Sequence, residues 1–302
     1  MKQENRGIWK FARLLPPVGS VNQYTLGEGN TRLIEKDGVF FKCEFENPTG
    51  SIKDRGICYQ IAVLKKNKIK HAVLSSSGNA AVSASIYCAE NGISLTVFLS
   101  PSANPQKIKK IHPYATIVTS KKPVSEAFKY SLEKKIFNLR PTKDPAGYIG
   151  YKTVGFEIME ALPEADALFI PVSGGTIFKG IFNGFGKNNF LPSFHAIQSS
   201  VVCPIASDYD RDFSPETKSL ADALVARISP FKNDLHSIIK KTGGSGWVIQ
   251  NKAMEIYRKK LSRYGFNSSF EGAACFAALN KARRKGYRFK NPVILLTGKY
   301  YG

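Results

Sequence analysis

Apolar residues along the chain come in short blocks that alternate with longer stretches of helical spacing. Residues 71–75 (HAVLS) form a compact apolar run that predicts a short buried strand. Residues 79–91 (NAAVSASIYCAEN) extend over a helical length and stop at Gly92, which predicts a helix. Residues 94–99 (SLTVFL) read as the next strand, so 71–99 is a β-α-β unit. The pattern returns at 167–172 (ALFIPV), a strand, at 173–176 (SGGT), a turn, and at 177–185, an apolar helix. Near the C-terminus, 270–283 is an Ala-rich helix and 292–297 (PVILLT) a buried strand. Pro171 lacks the N–H a ladder needs and so marks a strand end. This alternation predicts α/β layers around a mostly parallel sheet.

A chain of 302 residues with 43% hydrophobic content can bury a sizeable core in one large or two moderate domains. No unbroken apolar run approaches the ~18 residues a membrane span needs, and the polar start MKQENRGIWK leads into no secretory core. Cysteines 43, 58, 88, 203 and 275 are scattered, which predicts neither a disulfide framework nor a structural zinc site and fits a reduced, cytoplasmic protein. Lys+Arg total 44 against 23 Asp+Glu, a net charge of +21. The densest basic patch, KARRKGYRFK at 281–290, has no zinc-finger or RNP-type context; a solvated basic surface is expected rather than a nucleic-acid groove.

Two turns share one layout: Ser75-Ser76-Ser77-Gly78-Asn79 and Ser173-Gly174-Gly175-Thr176 each follow a strand and open a helix. A helix start offers unpaired N–H groups and partial positive charge, and glycine lets an anion approach the backbone. Two anion sites are therefore expected, at least one suited to phosphate. A third segment, Asn47-Pro48-Thr49-Gly50-Ser51-Ile52-Lys53-Asp54-Arg55-Gly56, reads as a turn with Ser51 capping a helix that starts near Ile52. Lys53 is either an ordinary exposed lysine or an amine held to form a Schiff base, the free amine being favoured at a helix start.

N-P-T-G-S-I-K-D-R-G resembles the pyridoxal-phosphate lysine motif of threonine synthases, in the tryptophan-synthase-like group of pyridoxal-phosphate enzymes. The resemblance continues in order over nearly the whole chain. Ile8-Trp9-Lys10-Phe11 and Leu14-Leu15-Pro16-Pro17 look like the family's N-terminal segment, and Leu26-Gly27-Glu28-Gly29-Asn30-Thr31 like its L-G-E-G-x-T stretch. Ser76-Ser77-Gly78-Asn79 looks like its S-T-G-N loop, Tyr151-Lys152-Thr153 through Phe156-Glu157-Ile158 like its Y-K-T-x-x-x-E-I helix, and Leu296-Thr297-Gly298 like its L-T-G end. The resemblance implies two open, twisted α/β domains with the cofactor in the cleft, the fold type II architecture. Residues 1–53 and 154–302 would form the large cofactor-binding domain and 54–153 a small, mobile, inserted one. It implies that Lys53 carries pyridoxal 5'-phosphate and then serves as acid and base. Asn79 would bond the ring hydroxyl, and the loop Ser76, Ser77, Gly78, Asn79 and Ala80 would cradle the substrate carboxylate. Ser173, Gly174, Gly175 and Thr176 would hold the cofactor phosphate, and Thr297 would face the pyridine nitrogen. Each also has an ordinary reading: Asn79 as a cap, 173–176 as a plain turn, Thr297 as a strand end. Glu271 reads first as a helix-start acid favoured by the dipole. A homodimer is implied by the family alone.

Two stretches depart from the family. Its Asn-Pro-x-x-Leu-Glu-Gly-like segment, often with an arginine, is here Asp144-Pro145-Ala146-Gly147-Tyr148-Ile149-Gly150, with Ile149 at the glutamate position; Arg140 and Lys143 are the nearby cations. The Ser173–Thr176 loop looks more like the G-G-T loop of cysteine-synthase-type enzymes. Three readings stand. The first is a lyase taking O-phosphohomoserine, an anionic amino acid, to threonine and phosphate. The second is a β-eliminating, β-replacing or deaminating enzyme on another amino acid. The third is a non-catalytic basic binding protein on the same fold, which would reveal itself by salt-steep DNA binding without cofactor uptake.

Overall fold

A computed structural model describes residues 6–76, 78–186 and 190–301. In chain order the strands and helices are β1 (Leu33–Lys36), β2 (Val39–Lys42), α1 (Lys53–Lys66), β3 (His71–Ser75), α2 (Asn79–Glu90), β4 (Ser94–Leu99), α3 (Pro105–Ile108), β5 (Thr116–Thr119), α4 (Pro123–Glu133) and β6 (Phe137–Asn138). There follow α5 (Lys152–Ala161), β7 (Ala167–Pro171), α6 (Thr176–Phe185), β8 (Ser193–Ser199), α7 (Lys232–Lys241), β9 (Gly246–Ile249), α8 (Asn251–Arg263), α9 (Phe270–Arg284) and β10 (Pro292–Leu295). The β-α-β unit at 71–99 forms as expected, with β3 parallel to β4 and Gly92 at a positive φ of 60° ending the turn after α2. Pro171 is the last residue of β7, where a missing N–H costs no ladder bond. The final strand is shorter than its apolar run, leaving Leu296 and Thr297 beyond its end.

The chain packs as two α/β units, one of residues 1–30, 47–153 and 301, the other of 31–46, 154–300 and 302. Segment 54–153 lies in the first unit together with 1–30 and 47–53, whereas the family resemblance groups 1–53 with 154–302. The first unit holds a four-stranded parallel sheet in the order β5-β4-β3-β6. The N-terminal segment packs with it: Trp9 lies 6.0 Å from Tyr59 between ring centres and donates its indole N–H to the Tyr24 carbonyl at 2.8 Å. The second unit holds a six-stranded sheet in the order β1-β2-β10-β7-β8-β9, parallel except for the β1–β2 hairpin. That hairpin turns at Asp37-Gly38, both with positive φ, as a tight two-residue turn between twisted strands requires. Helix α9 buries Ala273, Ala274, Ala277, Ala278 and Ala282, and these small side chains let it lie close against its sheet.

Both sheets change direction once. In the first unit β3, β4 and β5 step one way and β6 returns to the other side of β3; in the second β7, β8 and β9 step one way and β10 returns to the other side of β7. Beyond the carboxyl ends of strands at such reversals, open α/β sheets leave a crevice for ligands. Here the strand ends are Ser75 and Asn138 in the first unit, and Pro171 and Leu295 in the second.

The charge surplus is partly structural. Lys281 pairs with the buried Asp210 at 2.6 Å and Lys285 with Asp212 at 2.7 Å, so the 281–290 cluster ties α9 to the 210–212 segment. All five cysteines are free, and burial pushes the Cys43 and Cys88 thiols up to about 12, which makes them inert at neutral pH. Among the described residues, no helix is long and apolar enough to cross a membrane, and no cluster of His, Cys, Asp and Glu suits a metal.

Candidate active site

The Lys53 turn is built by its own sequence. Gly50 donates to the Asn47 carbonyl at 2.7 Å and takes a φ of 83°, a left-handed conformation that closes the turn. Ser51 accepts the Lys53 backbone N–H on its hydroxyl at 3.1 Å, and α1 begins at Lys53, one residue later than expected because Ile52 forms the helical lead-in. Asp54 reaches back and accepts both the backbone N–H and the hydroxyl of Thr49, at 2.7 and 2.6 Å. Lys53 itself is half-buried at the first position of the helix.

The Asp-Arg-Gly that follows the lysine anchors α1. Arg55 is fully buried and donates to the Thr153 hydroxyl at 3.0 Å, which in turn donates to the Gly150 carbonyl at 2.7 Å. Gly56 lies against the Tyr151 ring, and a Cβ on Gly150 would fall 1.9 Å from the Arg55 carbonyl oxygen. The Tyr-Lys-Thr motif is thus a seat for the helix that carries Lys53. Glu28 of the Leu-Gly-Glu-Gly stretch is fully buried and accepts from the Tyr87 hydroxyl at 2.6 Å and the Ile8 N–H at 3.3 Å. These supporting partners lie far away in sequence, so local reading found the motifs without their purpose.

Burial pushes the Asp54 carboxyl up to about 6 from an ordinary value near 3.8, against the hydrogen bonds from Thr49 that favour its charge. Between those two values the folded protein keeps a proton that the unfolded chain has released, so this group makes stability fall as pH rises through that window. Asp54→Asn removes the proton exchange. The unfolding free energy of the variant relative to the native protein should therefore rise from about pH 4 to about pH 6 and level off above. Urea unfolding of both across that range measures it, and a constant difference contradicts the burial argument.

The Ser76–Ala80 loop leaves the carboxyl end of β3. The Gly78 N–H donates to the Ser76 hydroxyl at 3.3 Å, and Asn79 is the first residue of α2. Asn79 Oδ1 is buried and has no hydrogen-bond partner among the described residues. Ala80 follows in the first turn, whose N–H groups lack intrahelical acceptors. Ser77 lies outside the described residues.

In the second unit, Ser173 and Gly174 are half-buried, and Gly175 leads into α6 with a φ of 91°. Ser229 donates to the Gly174 carbonyl at 3.0 Å and holds the loop from behind. A Cβ on Gly175 would meet Leu235 at 3.1 Å and the Ser229 hydroxyl at 3.2 Å. Thr176 opens α6, whose first N–H groups lack intrahelical acceptors. Thr297, buried just past β10, sits at the other strand end of the same switch point. Glu271 accepts from the Ala223 N–H at 3.0 Å and from the Ser269 hydroxyl, the structural role expected of it.

Segment 144–150 carries no cation. Asp144 is buried, accepts the Ala146 N–H at 2.9 Å and the Gln60 amide at 2.6 Å, and is raised above its usual range by burial. Gly147 packs on Pro141, and Ile149 is buried. Arg140 and Lys143, just before it, line a small cavity.

The family model described as pyridoxal-phosphate dependent enzyme matches residues 24–298. A threonine synthase from Methanosarcina acetivorans is 28% identical, covering 99% of this chain and 80% of that protein. An L-threonine ammonia-lyase from Geobacter sulfurreducens is 28% identical over 63% of this chain and 49% of that protein. Among solved structures, a maize serine racemase has a similar fold, with a TM-score of 0.78 at 20% identity over 90% of this chain and 88% of the other.

Proposed function

The chain belongs to the pyridoxal-phosphate dependent enzyme family, and from that premise we propose that it is a lyase of threonine-synthase type, taking O-phosphohomoserine to threonine and phosphate. The observation that carries the reading is the extent of the likeness: the threonine synthase match runs along 99% of the chain, the ammonia-lyase match along 63%.

The residues present fit the cofactor. The Asn79 Oδ1 can accept a hydrogen bond from a ring hydroxyl, and Gly175, at a left-handed φ and tightly packed, bares the backbone at the start of α6 for a phosphate. When bound, the cofactor supplies an electron sink for negative charge developing on the substrate carbons. Lys53 would hold it through its amine, and that amine, when free, would take the proton from the substrate Cα. The N–H groups at the start of α2 hold the α-carboxylate and fix the Cα–H toward Lys53. Thr297 would offer a hydroxyl to the pyridine nitrogen; unlike a carboxylate it would not force that nitrogen to stay protonated, which would favour elimination over amino-group transfer. In the proposed reaction Cα and Cβ would each give up a proton as phosphate leaves Cγ, Cγ would be protonated to a methyl, and water would add its hydroxyl at Cβ with a proton returned to Cα. Five free cysteines suit a reducing, cytoplasmic setting.

A second reading, β-elimination, β-replacement or threonine deamination, is favoured by the absence of a cation in 144–150 and by the Gly-Gly-Thr loop at 174–176. Cofactor-reconstituted protein given phosphohomoserine, O-acetylserine and threonine separately decides between them. Threonine and phosphate released in equal amounts from the first substrate support the proposal. A 2-oxo acid from threonine, with no threonine from phosphohomoserine, rejects it.

Gly175→Ala should weaken cofactor binding by about tenfold, since a left-handed residue with a side chain costs about 1–2 kcal/mol and its Cβ crowds Leu235. Cofactor titration followed by visible absorbance measures it; an unchanged dissociation constant would remove the loop from the site.

A further inference from the structure

At the switch point of the four-stranded sheet, beyond the ends of β3 and β6, lies a cavity of about 190 Å³. Ser75 ends β3 and Asn138 ends β6; Arg140 and Lys143 follow, and Ser125 and Phe128 of α4 close the far wall. Two cations and no acid line it. Arg140 is half-buried, and its guanidinium has no hydrogen-bond or ion-pair partner among the described residues. Lys143 is exposed, and its ammonium lies 5.4 Å from the centre of the Phe128 ring. The Asn138 side chain accepts the Arg140 backbone N–H at 3.0 Å, which fixes the turn that leaves β6.

A guanidinium left without an anion beside neutral hydroxyl and amide groups is a receptor for an oxyanion, because its planar fork matches two oxygens at once. A water occupies about 30 Å³ in the liquid, so the cavity has room for a phosphate, sulfate or carboxylate group. Its position adds the second argument. Ser75 directly precedes the Ser76–Ala80 loop, which holds the substrate α-carboxylate in the function proposed above. An amino acid seated on that loop can extend a side chain past Ser75 into the cavity.

We propose that Arg140 and Lys143 form an anion subsite that receives a distal oxyanion on the substrate side chain and so selects acidic or phosphorylated amino acids. The subsite supplies the cation that segment 144–150 lacks. The selection of substrate rests on the lyase reading; the binding of an anion does not.

The test uses the cofactor-loaded enzyme, so that the 173–176 loop is already filled. Inorganic phosphate and sulfate are titrated by calorimetry into native protein, Arg140→Ala and Arg140→Ala/Lys143→Ala, with the visible absorbance of the bound cofactor reporting that each variant folds. Affinity should fall about 10- to 100-fold in Arg140→Ala and further in the double variant. In kinetics, the ratio of kcat/KM for phosphohomoserine over serine should fall by the same factor, mainly through KM. Glutamate and aspartate as competitive inhibitors separate a carboxylate preference from a phosphate preference. Equal phosphate binding by native and variant proteins overturns the subsite. Turnover with an unchanged substrate ratio overturns its selective role and leaves the lyase reading standing. If no amino acid is turned over, the lyase reading falls, and the calorimetry decides the anion site alone.

Discussion

Lys53→Ala removes the visible absorbance that arises when the cofactor is joined to the protein amine, and turnover of every amino acid falls by at least about 10²–10⁴-fold, the usual share of a positioned proton carrier. The expectation follows from placement. Lys53 is half-buried at the first position of α1, behind a turn closed by Gly50 and pinned by Asp54 to Thr49. No bond from those groups depends on the lysine side chain, so the variant should fold. Without that covalent link the cofactor should dissociate during gel filtration. Added methylamine should restore part of the activity if the missing element is an amine in the right place. A variant that keeps the native spectrum assigns the attachment elsewhere.

Glu157→Ala destabilises the protein by about 3–5 kcal/mol. Glu157 lies on α5 in the Tyr-Lys-Thr-x-x-x-Glu-Ile stretch and receives the ammonium of Lys42 at 2.6 Å. Lys42 is almost wholly buried on β2, where it also donates to the Thr31 carbonyl at 2.5 Å and lies 4.0 Å from Glu44. Removing one partner strands an ammonium away from water, and that desolvation is what costs. The nearby Glu44 places the effect toward the lower end. Glu157→Gln, which keeps an acceptor of the same shape, should lose less. Urea unfolding of the three proteins checks the order; a loss under about 1 kcal/mol in the alanine variant would mean that water reaches Lys42.

The two predictions mark a division that the sequence alone could not draw. Lys53 and Glu157 both sit in family-like motifs, yet one is assigned to chemistry and the other to holding β2 and α5 together. The strand–turn–helix pieces at 71–99 and 167–185 were legible because each is made by neighbouring residues: an apolar run, a glycine-bearing turn, a helical stretch. The Asp37-Gly38 hairpin carries an equally local signal and was passed over. Arg55 was not legible as a buried anchor, since its partner Thr153 is 98 positions away, and neither was Lys42, whose partner is 115 positions away. The pairing of Lys281 and Lys285 in the basic patch at 281–290 was not legible either, because Asp210 and Asp212 answer them from a distant segment.

By itself, then, the sequence determined the α/β alternation, the cofactor class and the lysine to test, because a local turn at a helix start needs only adjacent residues. The tertiary structure alone decided which sheet ends form switch points, since strand order depends on pairing between distant segments. It decided that Asp54, Arg55, Glu28 and Glu157 are buried supports, since burial is a property of packing. It also gathered Ser75, Asn138, Arg140 and Lys143 around one cavity, because only the return of β6 beside β3 brings those strand ends together.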